Sequence, residues 1–378
     1  VNHPGFGGSH LPDLTVVSPV FAGSGDCIGH VVNRAHHAEI GGTRPGSMPP
    51  DATRLVEEGV VIPPMKIVTA GVPAFEVFEE MLRRAPHPSR AVADNLADLA
   101  AQLASNELGV RRLATLWREV GPTDFDRDLE GLRRRCGAAI GRLIDARPGF
   151  DRSVEERLDD GTPIRLRVSV EHGRMSIDFT GSGDVHPRNL NAPFAVIRAA
   201  TLYVLRVVAA EAIPLNEGAL ERVDLICPNG FLDPPFEGHA ESDPAVAIGN
   251  TETSQRVVDA LLRCFGVVAG SQGTMNNLLL GNDRFGYYET ICGGTGAGPD
   301  FDGCDAVHSH MTNTRLTDPE VLEHRYPIRL ESFSIRRGSG GRGRHRGGDG
   351  VVRTIRATET LRGSLLGQHR VERPYGLE

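Results

Sequence analysis

The residues best suited to chemistry lie within the first forty positions. In Ser9-His10-Leu11-Pro12-Asp13 an imidazole and a carboxylate stand three residues apart, beside a proline and after paired glycines, where an irregular backbone can turn both inward. The run Arg34-Ala35-His36-His37-Ala38-Glu39 follows a β-rich stretch, and a hairpin there would return the chain to His10 and Asp13. Adjacent residues of a strand face opposite ways. One of the two histidines can therefore bind a metal while the other supports it or touches substrate, and His36 is the favoured ligand. Two imidazoles and a carboxylate leave coordination positions open for water and substrate, as a catalytic site requires, and zinc, manganese and iron(II) all accept the set. The competing reading is a histidine-rich polar cleft without metal.

Three stretches must position these residues. Region 1–73 is β-rich and carries the candidate metal site, with β-prone runs Leu14-Thr15-Val16-Val17 and Cys27-Ile28-Gly29-His30-Val31-Val32 around the turn-forming Gly23-Ser24-Gly25-Asp26. Region 74–150 turns to Ala, Leu, Arg and Glu, with Leu96, Leu99, Leu103, Leu113 and Leu116 at helical spacing, and predicts a subdomain of three or four helices punctuated by Pro86, Pro88 and Pro122. Region 151–378 is a mixed α/β region with glycine-rich site loops. Alternation through Ile164, Leu166, Val168 and Val170, a turn at His172-Gly173, and a second run with Ile177 and Phe179 predict a hairpin. Helices are expected over 192–213, stopped by Pro214, and over 253–268, capped from within Asn250-Thr251-Glu252-Thr253-Ser254. Residues 270–315 read as irregular and 338–350 as a mobile Gly/Arg loop. The expected fold class is mixed α and β (α+β).

Bulk properties narrow the function. The chain has 378 residues, 39% of them apolar, enough for a substantial core. With 41 Lys+Arg against 49 Asp+Glu the formal charge is −8, which argues against nucleic acid or an anionic membrane as partner and for a small-molecule substrate. No apolar run approaches the roughly 20 residues of a membrane span, and no secretory signal opens the chain, so a soluble, cytoplasmic protein is expected. Six cysteines without a Cys-x-x-Cys pair predict reduced, inert thiols. The start at Val1 and the stop soon after Arg373-Pro374-Tyr375-Gly376 suggest a piece of a longer protein.

Several blocks resemble the hydantoinase B family, which includes one half of 5-oxoprolinase. They are Gly7 to Asp13, Arg34 to Gly42, Pro45-Gly46-Ser47-Met48, Asp178-Phe179-Thr180-Gly181-Ser182, Asn191-Ala192-Pro193, Gly249 to Arg256, Ser271 to Asn277, Tyr287-Tyr288-Glu289-Thr290, His308 to Arg315 and Ser339-Gly340-Gly341. The resemblance runs in order along essentially the whole chain. It departs at Asn2-His3-Pro4-Gly5, where the family usually has an acid after the asparagine and an aromatic after the proline.

The resemblance implies a partner, an A-type ATP-binding hydantoinase subunit, separate or fused, that uses ATP to phosphorylate the carbonyl oxygen of the substrate, while the B-type subunit completes hydrolysis of a cyclic amide. Similar subunits occur in acetone and acetophenone carboxylases, so ATP-dependent ketone carboxylation is the second enzymatic reading, and a noncatalytic scaffold for the ATP-binding subunit is a third. The related carboxylases support His10, Asp13 and His36 as ligands of a divalent metal (zinc, manganese or iron). In that scheme the metal activates water, and His37 or Glu39 accepts its proton or orients a ligand. Glu289 is a further catalytic candidate. His308 and His310 are candidates for substrate contact, and Asn276, Asn277, Asn313 and Arg315 for a clamp on a carboxylate or phosphate. The glycines of Gly293-Gly294-Thr295-Gly296 lack the lysine of a phosphate loop, and the Arg342, Arg344, His345, Arg346 cluster lacks interleaved aromatics, so neither is read as a nucleotide site.

Overall fold

The computed structural model describes residues 1–377. Strands β1 (Asp13–Phe21) and β2 (Cys27–His36) pair antiparallel in the expected hairpin, with Asp13 opposite His36 at its open end. The short helix α1 (Leu55–Glu58) and the small hairpin of β3 (Val68–Thr69) and β4 (Val72–Pro73) lead into three helices, α2 (Phe75–Arg84), α3 (Val92–Val120) and α4 (Pro122–Asp145). Their breaks fall at the expected prolines. Pro122 takes the first position of α4, where its missing N–H leaves no bond unmade.

Helix α3 lies across the face of the β1–β2 hairpin. Its buried contact carries a polar stripe of Asn95, Gln102 and Asn106, which the helical period puts on one side. Gln102 donates to the Leu14 carbonyl at 2.9 Å, Asn106 to that of Val16 at 3.2 Å, and Asn95 to that of Glu39 at 3.0 Å. Apolar packing of Leu11, Leu14, Ile40, Phe78, Leu82 and Leu99 completes this smaller core.

The larger core is built on a four-stranded sheet of β5 (Asp151–Arg157), β6 (Pro163–Glu171), β7 (Arg174–Asp178) and β8 (Val223–Ile226), in that order. Ile164, Leu166, Val168 and Val170 all face inward, as their alternation predicts, each worth about 1.5–3 kcal/mol of burial. β8 joins β7 in parallel, after α5 (Phe194–Ala209). α5 stops before Pro214 because Ala210 adopts the left-handed conformation (φ 53°). α6 (Ser254–Phe265) packs on α5, β5 and β6. None of the residues 250–254 makes a side-chain cap at its start. A π-turn, Gly249–Thr253, feeds directly into it, with Gly249 so close to the Asn191 carbonyl that a β-carbon would collide there.

The region expected to be irregular holds two strands, β9 (Asn277–Gly281) and β10 (Gly286–Thr290). α7 (Pro319–Arg325) and the β11 (Ile328–Arg336) and β12 (Gly350–Ala357) pair follow, and then β13 (Arg362–Leu366) returns to make the sheet β10-β9-β13. The 338–350 loop is pinned rather than free. Asp349 accepts from the Gly338 and Gly340 amides at 2.9 and 2.8 Å and pairs with Arg346, and those bonds depress its pKa to about 2. Seven helices and five sheets among the described residues make the fold mixed α+β. All six cysteines are free, and no helix among the described residues is long and apolar enough to cross a membrane.

Candidate metal centre

The loop before β1 is shaped by close backbone packing. A β-carbon on Gly8 would strike the Asn2 and His3 carbonyls, so only glycine lets the loop fold this tightly. The Asp13 amide then donates to the His10 carbonyl at 3.1 Å, and this turn folds the His10 ring back over the first residue of β1. The hairpin delivers His36 from the other strand. One potential ligand atom from each of His10, Asp13 and His36 lies within 4.8 Å of the other two. His10 Nδ1 is 3.3 Å from Asp13 Oδ2, and His36 Nδ1 is 3.2 Å from Asp13 Oδ1.

The electrostatics suit a cation. Burial works to raise the Asp13 pKa, but the His10 and His36 rings beside it hold the carboxyl well below the usual carboxylate range. The Ser9 hydroxyl donates to Asp13 Oδ2 at 2.6 Å and fixes its orientation. Two imidazoles and an ionised carboxylate with converging lone pairs fit a divalent ion by donor chemistry and by spacing.

Two further side chains border the cluster. The ring of Tyr288 lies against that of His36, with centroids 5.2 Å apart, while its hydroxyl donates to Asn277 Oδ1 at 2.8 Å. Burial, reinforced by the charges of Glu252 and Asp13, drives the phenol pKa up, so Tyr288 is a neutral donor. Asn277 in turn donates to Glu252 Oε1 at 2.6 Å, and burial lifts that carboxyl to about 8. From the same π-turn, the Asn250 amide comes within 3.2 Å of His10 Nδ1. Sequence reading assigned Asn250 and Glu252 to a helix cap and passed over Tyr288. The available signals were their place in the resembling blocks and, for Tyr288, strand alternation, which turns it to the opposite face from Tyr287 and Glu289.

The remaining candidates are not gathered at this cluster with free functional groups. His37 is turned into the protein, its two ring nitrogens 3.0 Å from Asn95 Oδ1 and 3.1 Å from Gln102 Oε1. Glu39 accepts from the Gly41 and Gly46 amides and pairs with Arg90, so it secures a loop, while burial raises its pKa. Glu289 holds Arg353 through both oxygens, at 2.8 and 3.1 Å, and also accepts from Tyr287 at 2.7 Å. These contacts occupy the functional groups of all three residues proposed as proton acceptors, ligand-orienting groups or catalytic candidates.

Asn276 bonds to Gln272 and Arg370, and Asn277 to Glu252 and Tyr288, so their amides act as internal struts and not as an open clamp. Asn313 and Arg315 are exposed. His308 is half-buried with its Nδ1 unpartnered, and burial lowers its pKa. His310 sits at a left-handed backbone position (φ 55°), 3.2 Å from the Tyr203 hydroxyl and 3.6 Å from Asp259, and burial lowers its pKa too.

Comparison with known proteins agrees with this architecture. The model of the Hydantoinase B/oxoprolinase family matches residues 1–378. The chain is 42% identical to the 5-oxoprolinase of Dictyostelium discoideum over 391 residues, covering all of this chain and 30% of that protein. It thus spans about a third of the length of the 5-oxoprolinases it matches. Among solved structures, an ATP-dependent caprolactamase from Pseudomonas jessenii is similar in fold over 94% of this chain and 64% of its own (TM-score 0.82, 24% identity). An acetone carboxylase is similar over 100% and 53% (TM-score 0.80, 18% identity). Matched by the family model from end to end and by a named oxoprolinase over its full length, the chain belongs to the hydantoinase B/oxoprolinase family.

Proposed function

We propose that this chain is the B-type portion of an ATP-dependent amidohydrolase, which opens a cyclic amide after an A-type partner subunit or domain has phosphorylated the amide oxygen. The observation that carries the reading is the convergence of His10, Asp13 and His36 on one point. Family membership and the oxoprolinase relatives support the amide as substrate class. The share of those relatives that the chain spans leaves room for an ATP-binding part elsewhere in the protein. We place the reaction in the cytoplasm.

In this reading His10, Asp13 and His36 hold a divalent cation. Such an ion supplies Lewis acidity and brings the pKa of water toward neutrality. The protein's own groups do the rest. Ser9 locks the carboxylate of Asp13, Tyr288 braces the ring of His36, and the His37 bonds to Asn95 and Gln102 hold the hairpin under both. An amide of this kind is a poor electrophile because of resonance, and phosphorylation of its oxygen removes that resistance.

The test is elemental analysis of the full-length protein with its A-type partner, followed by ATP turnover on cyclic amides and on ketones with bicarbonate. Stoichiometric metal and amide-dependent turnover, both lost in His10→Ala while the complex still assembles, are the expected results. Absence of metal, or normal turnover by His10→Ala, overturns the reading. ATP turnover that needs a ketone and bicarbonate would favour the carboxylase alternative, for which the likeness in fold to acetone carboxylase is the specific support. A metal-free assembly with undiminished turnover would favour the scaffold.

A further inference from the structure

We propose that Asn250 is a fourth donor to the cation, through its side-chain amide oxygen. The inference rests on the reading of His10, Asp13 and His36 as a cation site and adds a residue to it.

Spacing carries the argument. Nitrogen and oxygen ligands lie roughly 2.1 Å from a first-row divalent ion, so neighbouring donors on one ion are about 3.0 to 3.4 Å apart, from octahedral to tetrahedral angles. Three separations here fall in that interval: 3.3 Å from His10 Nδ1 to Asp13 Oδ2, 3.2 Å from His36 Nδ1 to Asp13 Oδ1, and 3.2 Å from His10 Nδ1 to Asn250 Nδ2, the place the carboxamide oxygen takes after a half-turn. The same His10 nitrogen faces both Asp13 and Asn250.

An amide N–H donated to His10 Nδ1 would consume the lone pair that the cation needs. The oxygen and nitrogen of a carboxamide are nearly the same in shape, and a half-turn about the last side-chain bond exchanges them. With that half-turn, the oxygen joins the converging lone pairs and the conflict disappears.

The backbone fixes Asn250 in place. Its own N–H donates to the Val246 carbonyl at 3.2 Å, its carbonyl accepts from Ser254 Oγ at 2.6 Å, and Gly249 before it is wedged against Asn191. The residue also belongs to a π-turn, a local widening of the helix found frequently at functional sites. Two nitrogens and two oxygens without sulfur make a set suited to harder, six-coordinate ions of the manganese or iron(II) type. Four protein donors would fill a tetrahedral zinc ion but leave two positions open on a six-coordinate one, where water and substrate can bind.

The probe is manganese(II) bound to the full-length protein labelled with ¹³C at the asparagine carboxamide, read by electron–nuclear double resonance. A ¹³C coupling is expected in the wild type and not in Asn250→Ala. Asn250→Ala should bind manganese roughly tenfold to a hundredfold more weakly, while Asn250→Asp, which keeps an oxygen donor, should hold affinity. Bound manganese with no ¹³C coupling, or unchanged affinity in Asn250→Ala, overturns the inference. Should Asn250→Ala fail to fold, the wild-type coupling and the Asn250→Asp affinity still decide it. A wild type that binds no manganese, zinc or iron at all is a separate result, and it refutes the cation site itself.

Discussion

Asp13 and His36 face each other as register partners at the open end of one hairpin, with Asp13 Oδ1 and His36 Nδ1 3.2 Å apart. Two residues distant in sequence thus become adjacent donors through strand pairing alone. Asp13→Asn keeps the size of the side chain but removes its charge. Cation content, measured by mass spectrometry after dialysis, is expected to fall to background while the far-ultraviolet circular dichroism stays unchanged. Full occupancy in the variant would show that the negative charge at position 13 is not needed to hold the ion.

Tyr288 acts on His36 by its ring and on Asn277 by its hydroxyl, and the two roles separate by substitution. Tyr288→Phe should cost about 1 kcal/mol of stability for the lost hydrogen bond and leave cation affinity near wild type. Tyr288→Leu should weaken the cation roughly tenfold by freeing the imidazole. Calorimetric titration of both variants checks this, and equal affinities would rule out the bracing role.

The Glu289–Arg353 pair is buried on both sides, with side-chain exposures of 1% and 2%. Arg353→Met leaves an uncompensated carboxylate in the interior and is expected to cost about 3–5 kcal/mol. The double variant Arg353→Met/Glu289→Leu should recover much of that loss in urea unfolding. Additive losses would indicate that the two residues do not act as a pair.

Glu58 lies in full burial and accepts from the Val246 and Ala247 amides, and desolvation raises its pKa to about 8. A carboxyl that binds its proton more tightly when folded stabilises the fold fully below the ordinary glutamate value near 4.5, and that stabilisation drains away as pH climbs through about 8. The urea midpoint should therefore drop between pH 6 and pH 8.5. Glu58→Gln, which cannot ionise, should show a smaller drop, whereas an identical slope would exclude Glu58 as a source.

Much of this was legible in the sequence because it is local. The alternation of β6, the prolines between helices and the His10-Asp13 spacing each act over a few residues. The spacing argument placed a histidine beside Asp13 and left the other for a second role. What escaped depends on distant partners. β9 pairs locally with β10, but its other edge is covered by β13, Leu278 against Leu365, and no short window contains that pair. Glu39 looks like a free base until the fold brings it Arg90 and two backbone amides. The π-turn is written in the same residues as an ordinary cap, and the close packing of Gly249 on the Asn191 carbonyl, which accompanies it, joins residues that no short window contains.

Two neighbouring histidines create an ambiguity that donor type alone does not resolve. If β2 slid by one residue, His37 would stand opposite Asp13 and a histidine would still be on offer there, so ligand chemistry tolerates the slip. The amides of α3 do not tolerate it, because Ala38 would then meet Asn95 and Gln102 and leave both without the ring they bond. Correct threading of the cation site is therefore constrained by a helix that enters the chain more than fifty residues after the hairpin's last strand. The helix that packs on the hairpin thus adds a second constraint on register, beside the alternation of β2 itself, and both favour His36 opposite Asp13.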